Sequence, residues 1–482
     1  MGGLLPPPNV HRAFTFGRLG ASGAALGADV NAAIDPRVRD GAEHAVLAGV
    51  VFGLNWTRFM RQTTWILLAA LTVAVPVAGA GDFYLKNGDR VVFYGDSITE
   101  QRLYTVIAET YVVTRYPKLD AVFVHSGWGG DRVSGGGGGA IDTRLPRDVF
   151  AYKPTVITIM LGMNDGEYSA ESEAVDKKFF DGYRHIVDAV HSALPGVRIT
   201  AIRPSPYDDV TRPPNFPGGY NEVMISFGKW IANYAGEAGL DVADLNTDVV
   251  QVLAKANEQN GEEARKIIPD RVHPSFAGHL IMAEALLKSW GARPVVSAVT
   301  IDVSAGKPQV KSTEHAEISA LSAEHPLEWT ELDDALPLPF RSWQSMWGSG
   351  PLKLVLASSD VAESLNRQSL RVSGLHDGVY TLQIDGQAVG TFNNDQLSSG
   401  INLALLDTPM AKQAREVYDL TLTHCDIHND RWRTIQVPLA EYDLPQSRTT
   451  MESIDALEQA VVAKRHEAAQ PKPHKYALVP VQ

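Results

Sequence analysis

Residues 90–99 read RVVFYGDSIT. After Arg90 the run is apolar without polar alternation, the pattern of a strand buried on both faces, and Gly95 closes it. Residues 103–115, LYTVIAETYVVTR, then have helical spacing. Moving outward, the same alternation recurs. Further strands are predicted at 122–124, 156–161, 197–202 and 240–245, with helices at 174–193, 221–238 and 275–290. Unalternating strands, each followed by a helix, make a parallel sheet covered on both faces by right-handed crossovers. Ligands bind such sheets beyond the carboxyl ends of the strands, so the residues just after each strand are the ones to inspect.

The first strand runs into Gly95-Asp96-Ser97, placing a serine where a strand turns into a helix. Its hydroxyl stands at the top of the sheet and its N–H opens a helix, suited to a developing oxyanion; an ordinary N-cap serine is the plainer reading. The second strand leads to His125-Ser126-Gly127-Trp128-Gly129-Gly130-Asp131, whose glycines let a backbone amide approach a substrate or simply form a turn. The third ends in Gly162-Met163-Asn164-Asp165, offering a side-chain amide. Asp270 and His273 precede the last helix. Histidine is the usual base for a serine nucleophile, and an Asp three residues earlier can hold its ring and tautomer. Each signal alone is weak. Together they put nucleophile, base, orienter and oxyanion donors at one sheet edge.

This ordered set resembles the SGNH hydrolase superfamily, the GDSL-type esterases and lipases, over about residues 86–292. The resemblance implies a three-layer α/β/α fold with a parallel, flavodoxin-like sheet. It also implies the catalytic triad Ser97, Asp270 and His273, and an oxyanion hole from Ser97, Gly130 and Asn164. His125 departs from the pattern, since the second block often opens with Asn; that position is a supporting one. The reaction implied is two-step acyl transfer through an acyl-enzyme, with no cofactor and no metal. Asp96, Trp128, Arg203 and Tyr207 are candidates for substrate contact; the loop holding Arg203, Pro204 and Tyr207 reads equally as structural. The expected substrate is a small acyl ester or an acetylated glycan. A lipase or lysophospholipase is the alternative among enzymes, and a non-enzymatic glycan-binding or surface-interaction protein is the alternative outside them.

Other features have plainer readings. Gly135–Gly139 lacks the Gly-Lys-Ser/Thr ending of a phosphate loop and reads as a loop beside the site. His273 and His279 do not share a helix face, and His424 and His428, one turn apart near Trp432 and Arg433, read as a packed helix face.

The chain has 482 residues, 43 basic and 56 acidic side chains, and a net charge of −13. Without a basic stripe it is not a general nucleic-acid binder, and its acidity opposes steering to anionic lipid. Its 44% hydrophobic and 21% charged residues are those of a globular chain. The single cysteine, Cys425, excludes an internal disulfide or a Cys-based zinc scaffold.

Arg58 and Arg61 precede an apolar run from Trp65 to Val77, and Ala78-Gly79-Ala80 follows. That order is a secretory signal peptide at 60–80, predicting export to the periplasm or extracellular space without stable membrane insertion after cleavage; uncleaved, it would be an anchor. Residues 1–59 read as a mis-annotated or disordered extension before Met60. The hydrolase is expected at 81–294, a β-rich accessory segment at 295–408, and a helical segment with a mobile tail from Gln470 at 409–482. The second part reads as a stabilising appendage, with a substrate-shaping or carbohydrate-binding module and a dimerisation element as alternatives.

Overall fold

A computed structural model describes residues 83–322 and 326–481. The signal peptide and the preceding extension lie outside the described residues.

Five parallel strands form the central sheet: β1 Arg90–Gly95, β2 Val122–Gly127, β3 Val156–Met160, β4 Arg198–Arg203 and β5 Asp241–Asp244, in the order β2-β1-β3-β4-β5. This is the expected three-layer α/β/α arrangement with a flavodoxin-like sheet. β1 and β3 are buried almost throughout, which is why their sequences carry no alternation. Gly95 at the end of β1 is in register with Gly127 on one side and Met160 on the other, so the segments after three strands open at one edge. Helices Leu103–Arg115, Glu173–Ala193, Tyr220–Ala238 and Phe276–Ser289 lie within a residue of the predicted spans.

Beyond Pro294 two further sheets are built. One has the strand order Ala316–Ser322, Leu327–Asp333, His474–Pro480, Val379–Ile384 and Gln387–Asn393, all antiparallel. In the other, Arg367–Ser373 pairs in parallel with Val295–Asp302, which pairs antiparallel with Gln309–Glu314; Ile401–Asn402 borders the far side.

One expectation is corrected. The tail is not mobile: His474–Pro480 is the middle strand of the five-stranded antiparallel sheet, with Tyr476 and Leu478 buried. Strand formation there is decided by partners nearly a hundred residues or more away in sequence, which local composition cannot reveal. The segment 295–408 carries helices beside its strands, Phe340–Trp347, Ser349–Ser358 and Val361–Leu365.

Those helices join the hydrolase core. Leu338, Phe340, Trp343, Leu352, Val355, Val361 and Leu365 belong to the same buried apolar cluster as the central strands, as do Tyr418 and Cys425 from the helix Pro409–Asn429. In return Val113, from the hydrolase helix, packs into the core of the C-terminal sheets with Trp329, Leu382 and Leu478.

Polar contacts fasten the same seam. Glu109, fully buried, accepts from His125 at 2.9 Å, from His424 at 2.8 Å and from Arg465, the last two supplied by C-terminal helices. Cys425, buried and unpaired with any cysteine, lies beside them, 3.5 Å from His424 Nε2. His424 is thus part of a buried ionic seam rather than a simple packed helix face. Among the described residues no helix is long and apolar enough to cross a membrane.

Candidate active site

Ser97 opens the short helix Ser97–Glu100 directly after β1. Asp96 caps that helix, its carboxylate accepting from Ile98 N at 3.0 Å. The helix lies hard against the end of β2: a Cβ on Gly127 would come within 2.2 Å of Glu100 N, so only glycine lets the turn close there.

The segment 270–273 brings the base to the serine. His273 Nε2 is 2.8 Å from Ser97 Oγ, and Nδ1 is 2.8 Å from Asp270 Oδ2. Asp270 Oδ1 also accepts from the backbone N–H of Val272 at 3.0 Å and of His273 at 2.7 Å. Partial burial would raise the Asp270 carboxyl, but the hydrogen bonds from the His273 ring and from these two amides outweigh it and hold it down at about 2. The Asp270 hydrogen bond raises His273 above the ordinary histidine value against the opposing effect of burial.

The third strand end supplies Asn164. Its Nδ2 donates one hydrogen to the carbonyl of Asp131 at 3.0 Å, leaving the second free, and Tyr168 O–H donates to its Oδ1 at 3.1 Å. Asp131 is itself fixed by the buried Arg144, whose Nε donates to Asp131 Oδ2 at 2.8 Å while Nη2 donates to the Ser126 carbonyl at 3.1 Å. Gly130 is exposed with φ of +77°, a left-handed conformation in which an L side chain would be strained. The structure therefore brings Ser97, Asp270 and His273 into one hydrogen-bonded row and couples Asn164 to the segment bearing Gly130.

The other candidates fall elsewhere. Asp96 is 1% exposed and occupied as a helix cap, so it is not available for substrate contact; burial pushes its carboxyl up to about 7. Arg203 is paired with Asp244 across β4 and β5 and is not hydrogen-bonded to the Ser97 group. Tyr207 is buried, its hydroxyl accepting from Asn215 at 2.9 Å. The loop behind it braces the base, Asp208 N donating to the Arg271 carbonyl at 2.9 Å. Trp128 is half-buried, its ring beneath the Arg433 guanidinium at 3.5 Å. His279 stacks on Tyr104, and burial drives it down to about 3.

Sequence reasoning missed Tyr168, Arg144 and Arg433, which reach the site only through the fold. It also missed a donor set able to hold a metal: ligand atoms of Glu109, His125, His424 and Cys425 all lie within 4.8 Å of one another. In the structure these groups satisfy each other and Arg465, a cation already seated against the carboxylate.

Residues 93–281 match the GDSL-like lipase/acylhydrolase family. The match supports the SGNH hydrolase superfamily for this domain. The SGNH domain is similar to an acetylxylan esterase of Geobacillus stearothermophilus, 26% identical over 234 residues, which are 43% of this chain and 96% of the relative. Among solved structures, a gut microbial diltiazem-metabolizing enzyme is similar at 23% identity and a TM-score of 0.70, over 82% of this chain and 98% of that one. A crystal structure of an acetylxylan esterase from Geobacillus stearothermophilus matches at 22% identity and a TM-score of 0.36, over 43% of this chain and 96% of that one. The wide structural match shows that the fold extends well past the SGNH domain into the C-terminal sheets. The chain is an ester-hydrolysing enzyme.

Proposed function

We propose that the protein is a serine esterase that removes short acyl groups, O-acetyl foremost, from carbohydrate. The observation that carries the reading is the unbroken row from Ser97 Oγ through the His273 ring to Asp270 Oδ2, both hydrogen bonds 2.8 Å. His273 takes the Ser97 proton as Oγ bonds to the ester carbonyl carbon, and Asp270 stabilises the imidazolium. Collapse of the tetrahedral intermediate breaks the bond to the alcohol oxygen, which leaves with the proton from His273. Water then attacks the acyl-enzyme, giving up its proton to His273, and Ser97 recovers a proton as the carboxylic acid departs. The N–H groups of Ser97 and Gly130 and the free amide hydrogen of Asn164 are the proposed oxyanion donors.

The acetyl and carbohydrate parts of the reading rest on the similarity to an acetylxylan esterase. Export is proposed from the sequence of residues 60–80, and N-terminal sequencing of protein recovered outside the cytoplasm tests it.

The decisive experiment compares p-nitrophenyl acetate with the octanoate, and acetylated xylan with acetylated pectin, in the intact enzyme and in Ser97→Ala. Acetate hydrolysis is expected to exceed octanoate hydrolysis, to extend to an acetylated polysaccharide, and to vanish in Ser97→Ala with circular dichroism unchanged. Labelling of the intact enzyme but not of the variant by a fluorophosphonate probe is the accompanying readout. Undiminished turnover without the Ser97 hydroxyl would overturn the assignment.

A further inference from the structure

The nucleophile turn is gripped by residues from the C-terminal part of the chain. Where the helix Pro409–Asn429 ends, the backbone widens into a π-helical stretch, Asp430–Gln436. Trp432 is buried there, its Nε1 donating to Asp148 Oδ1 at 2.7 Å, and this anchor turns the next residue, Arg433, toward the site. Arg433 Nη1 donates to Glu100 Oε1 at 2.6 Å, and its guanidinium lies 3.5 Å from the centre of the Trp128 ring. Two turns earlier, Asp426 and the Cys425 carbonyl accept from Arg102 at 2.9 and 3.0 Å. Arg102 holds a left-handed φ of +59° just beyond the nucleophile helix. The segment 425–433 thus holds both ends of the turn that follows Ser97.

Glu100 is the group that makes this chemically relevant. A Cβ built on Gly129 would stand 2.7 Å from Glu100 Oε2 and 3.9 Å from Ser97 Cβ, so the carboxylate and the nucleophile flank one glycine, next to Gly130. Acyl transfer develops negative charge on the former carbonyl oxygen at that place. A bare carboxylate beside it would oppose the transition state and would favour the protonated form of His273. Arg433 is the cation seated on Glu100, and its contact with Trp128 fixes the approach.

We infer that Arg433 is a positioning residue of the esterase: it neutralises Glu100 beside the nucleophile and orients Trp128, so that the C-terminal part of the chain completes the active site. This rests on the Ser97 reading above. The charged and titratable groups around His273 are Asp270 on its own loop, Asp96 and Glu100 on the nucleophile turn, and His279 on the following helix; Glu100 faces Arg433 and, more distantly, Asp131.

The test is a charge cycle on the full chain, read as kcat, KM and the pH profile with p-nitrophenyl acetate. Arg433→Met should lower kcat at least ten-fold with KM little changed, and should move the acid limb of kcat/KM upward, because an unpaired carboxylate makes His273 harder to deprotonate. Glu100→Gln combined with Arg433→Met should return the acid limb to its original position and recover most of kcat. Glu100→Gln alone leaves Arg433 uncompensated and should move the acid limb downward, an outcome readable even if Arg433→Met fails to fold.

Equal losses in the single and double Arg433 variants, or an acid limb that stays fixed in all three proteins, would mean that Arg433 is only a packing residue and would overturn the inference. Ser97→Ala is assayed in parallel. Hydrolysis that persists without Ser97 refutes the site reading itself, whereas Ser97-dependent hydrolysis indifferent to Arg433 and Glu100 refutes the inference alone.

Discussion

At the scale of the residue, Asp270 and His273 act as one unit. Asp270 sits at about 2 because the His273 ring and two backbone amides outweigh its partial burial, and the same hydrogen bond raises His273. A base works only when neutral, so kcat/KM should fall as pH drops through the raised His273 value, giving an acid limb above that of free histidine. Asp270→Asn removes the anion that favours the imidazolium, so its acid limb should move to lower pH while kcat falls by about 10⁴, as loss of a triad orienter does; stopped-flow pH profiles of both proteins check this. Asn164→Ala removes one proposed oxyanion donor and should reduce kcat by about 10² to 10³ with KM nearly unchanged. If KM rises instead and kcat holds, Asn164 is a ground-state contact. Asn164 was legible because it follows a strand whose burial pattern is readable, and Asp270 and His273 because they stand three residues apart just before a helix. Tyr168 and Arg144 were not, since nothing in their neighbouring sequence marks a partner at Asn164 or Asp131.

At the scale of the element, the strands of the parallel sheet and their helices follow from periodicity to within a few residues. The C-terminal strand does not. His474–Pro480 follows prolines at 471 and 473, a context that reads as a loose tail, yet it bridges Leu327–Asp333 and Val379–Ile384. Removing residues 471–482 should therefore leave two half-sheets with open edges and a bared core face. The truncated protein is expected to aggregate or to unfold well below the intact enzyme. An unchanged melting temperature would show that the sheet does not depend on this strand.

At the scale of the whole molecule, two apolar cores trade residues across a seam that holds a buried ion cluster. Burial alone would raise the Glu109 carboxyl; His424, Arg465 and His125 outweigh it and hold it well below the usual range. Burial opposes the charged form of His424, but Cys425 and Glu109 raise it well above the ordinary value. The Glu109 contribution is present above the carboxyl's unfolded value and is lost as pH falls through its lowered folded value. The His424 contribution is present below the histidine's unfolded value and is lost as pH rises through its raised folded value. Glu109→Gln leaves Arg465, 1% exposed, without its counter-charge, and should cost about 3–5 kcal/mol in urea unfolding near neutral pH. The variant should also lose part of the wild-type decline in stability on acidification. A change under about 1 kcal/mol would show that water reaches the seam.

The sequence by itself determined the parallel sheet, the identity of the blocks at its carboxyl edge and the ester-hydrolysing class. The sheet depends on burial patterns and turn residues that act within a few positions of one another, and the class on the resemblance of the blocks to the SGNH hydrolases. Tertiary structure alone decided that Asp96 is a cap, that Arg203 pairs with Asp244 and Tyr207 with Asn215, and that the chain's last strand sits inside a sheet. It also placed Arg433 against Glu100, 333 residues away in sequence. A charge acquires its partner and its dielectric surroundings only when distant segments pack, and one-dimensional spacing carries no record of that.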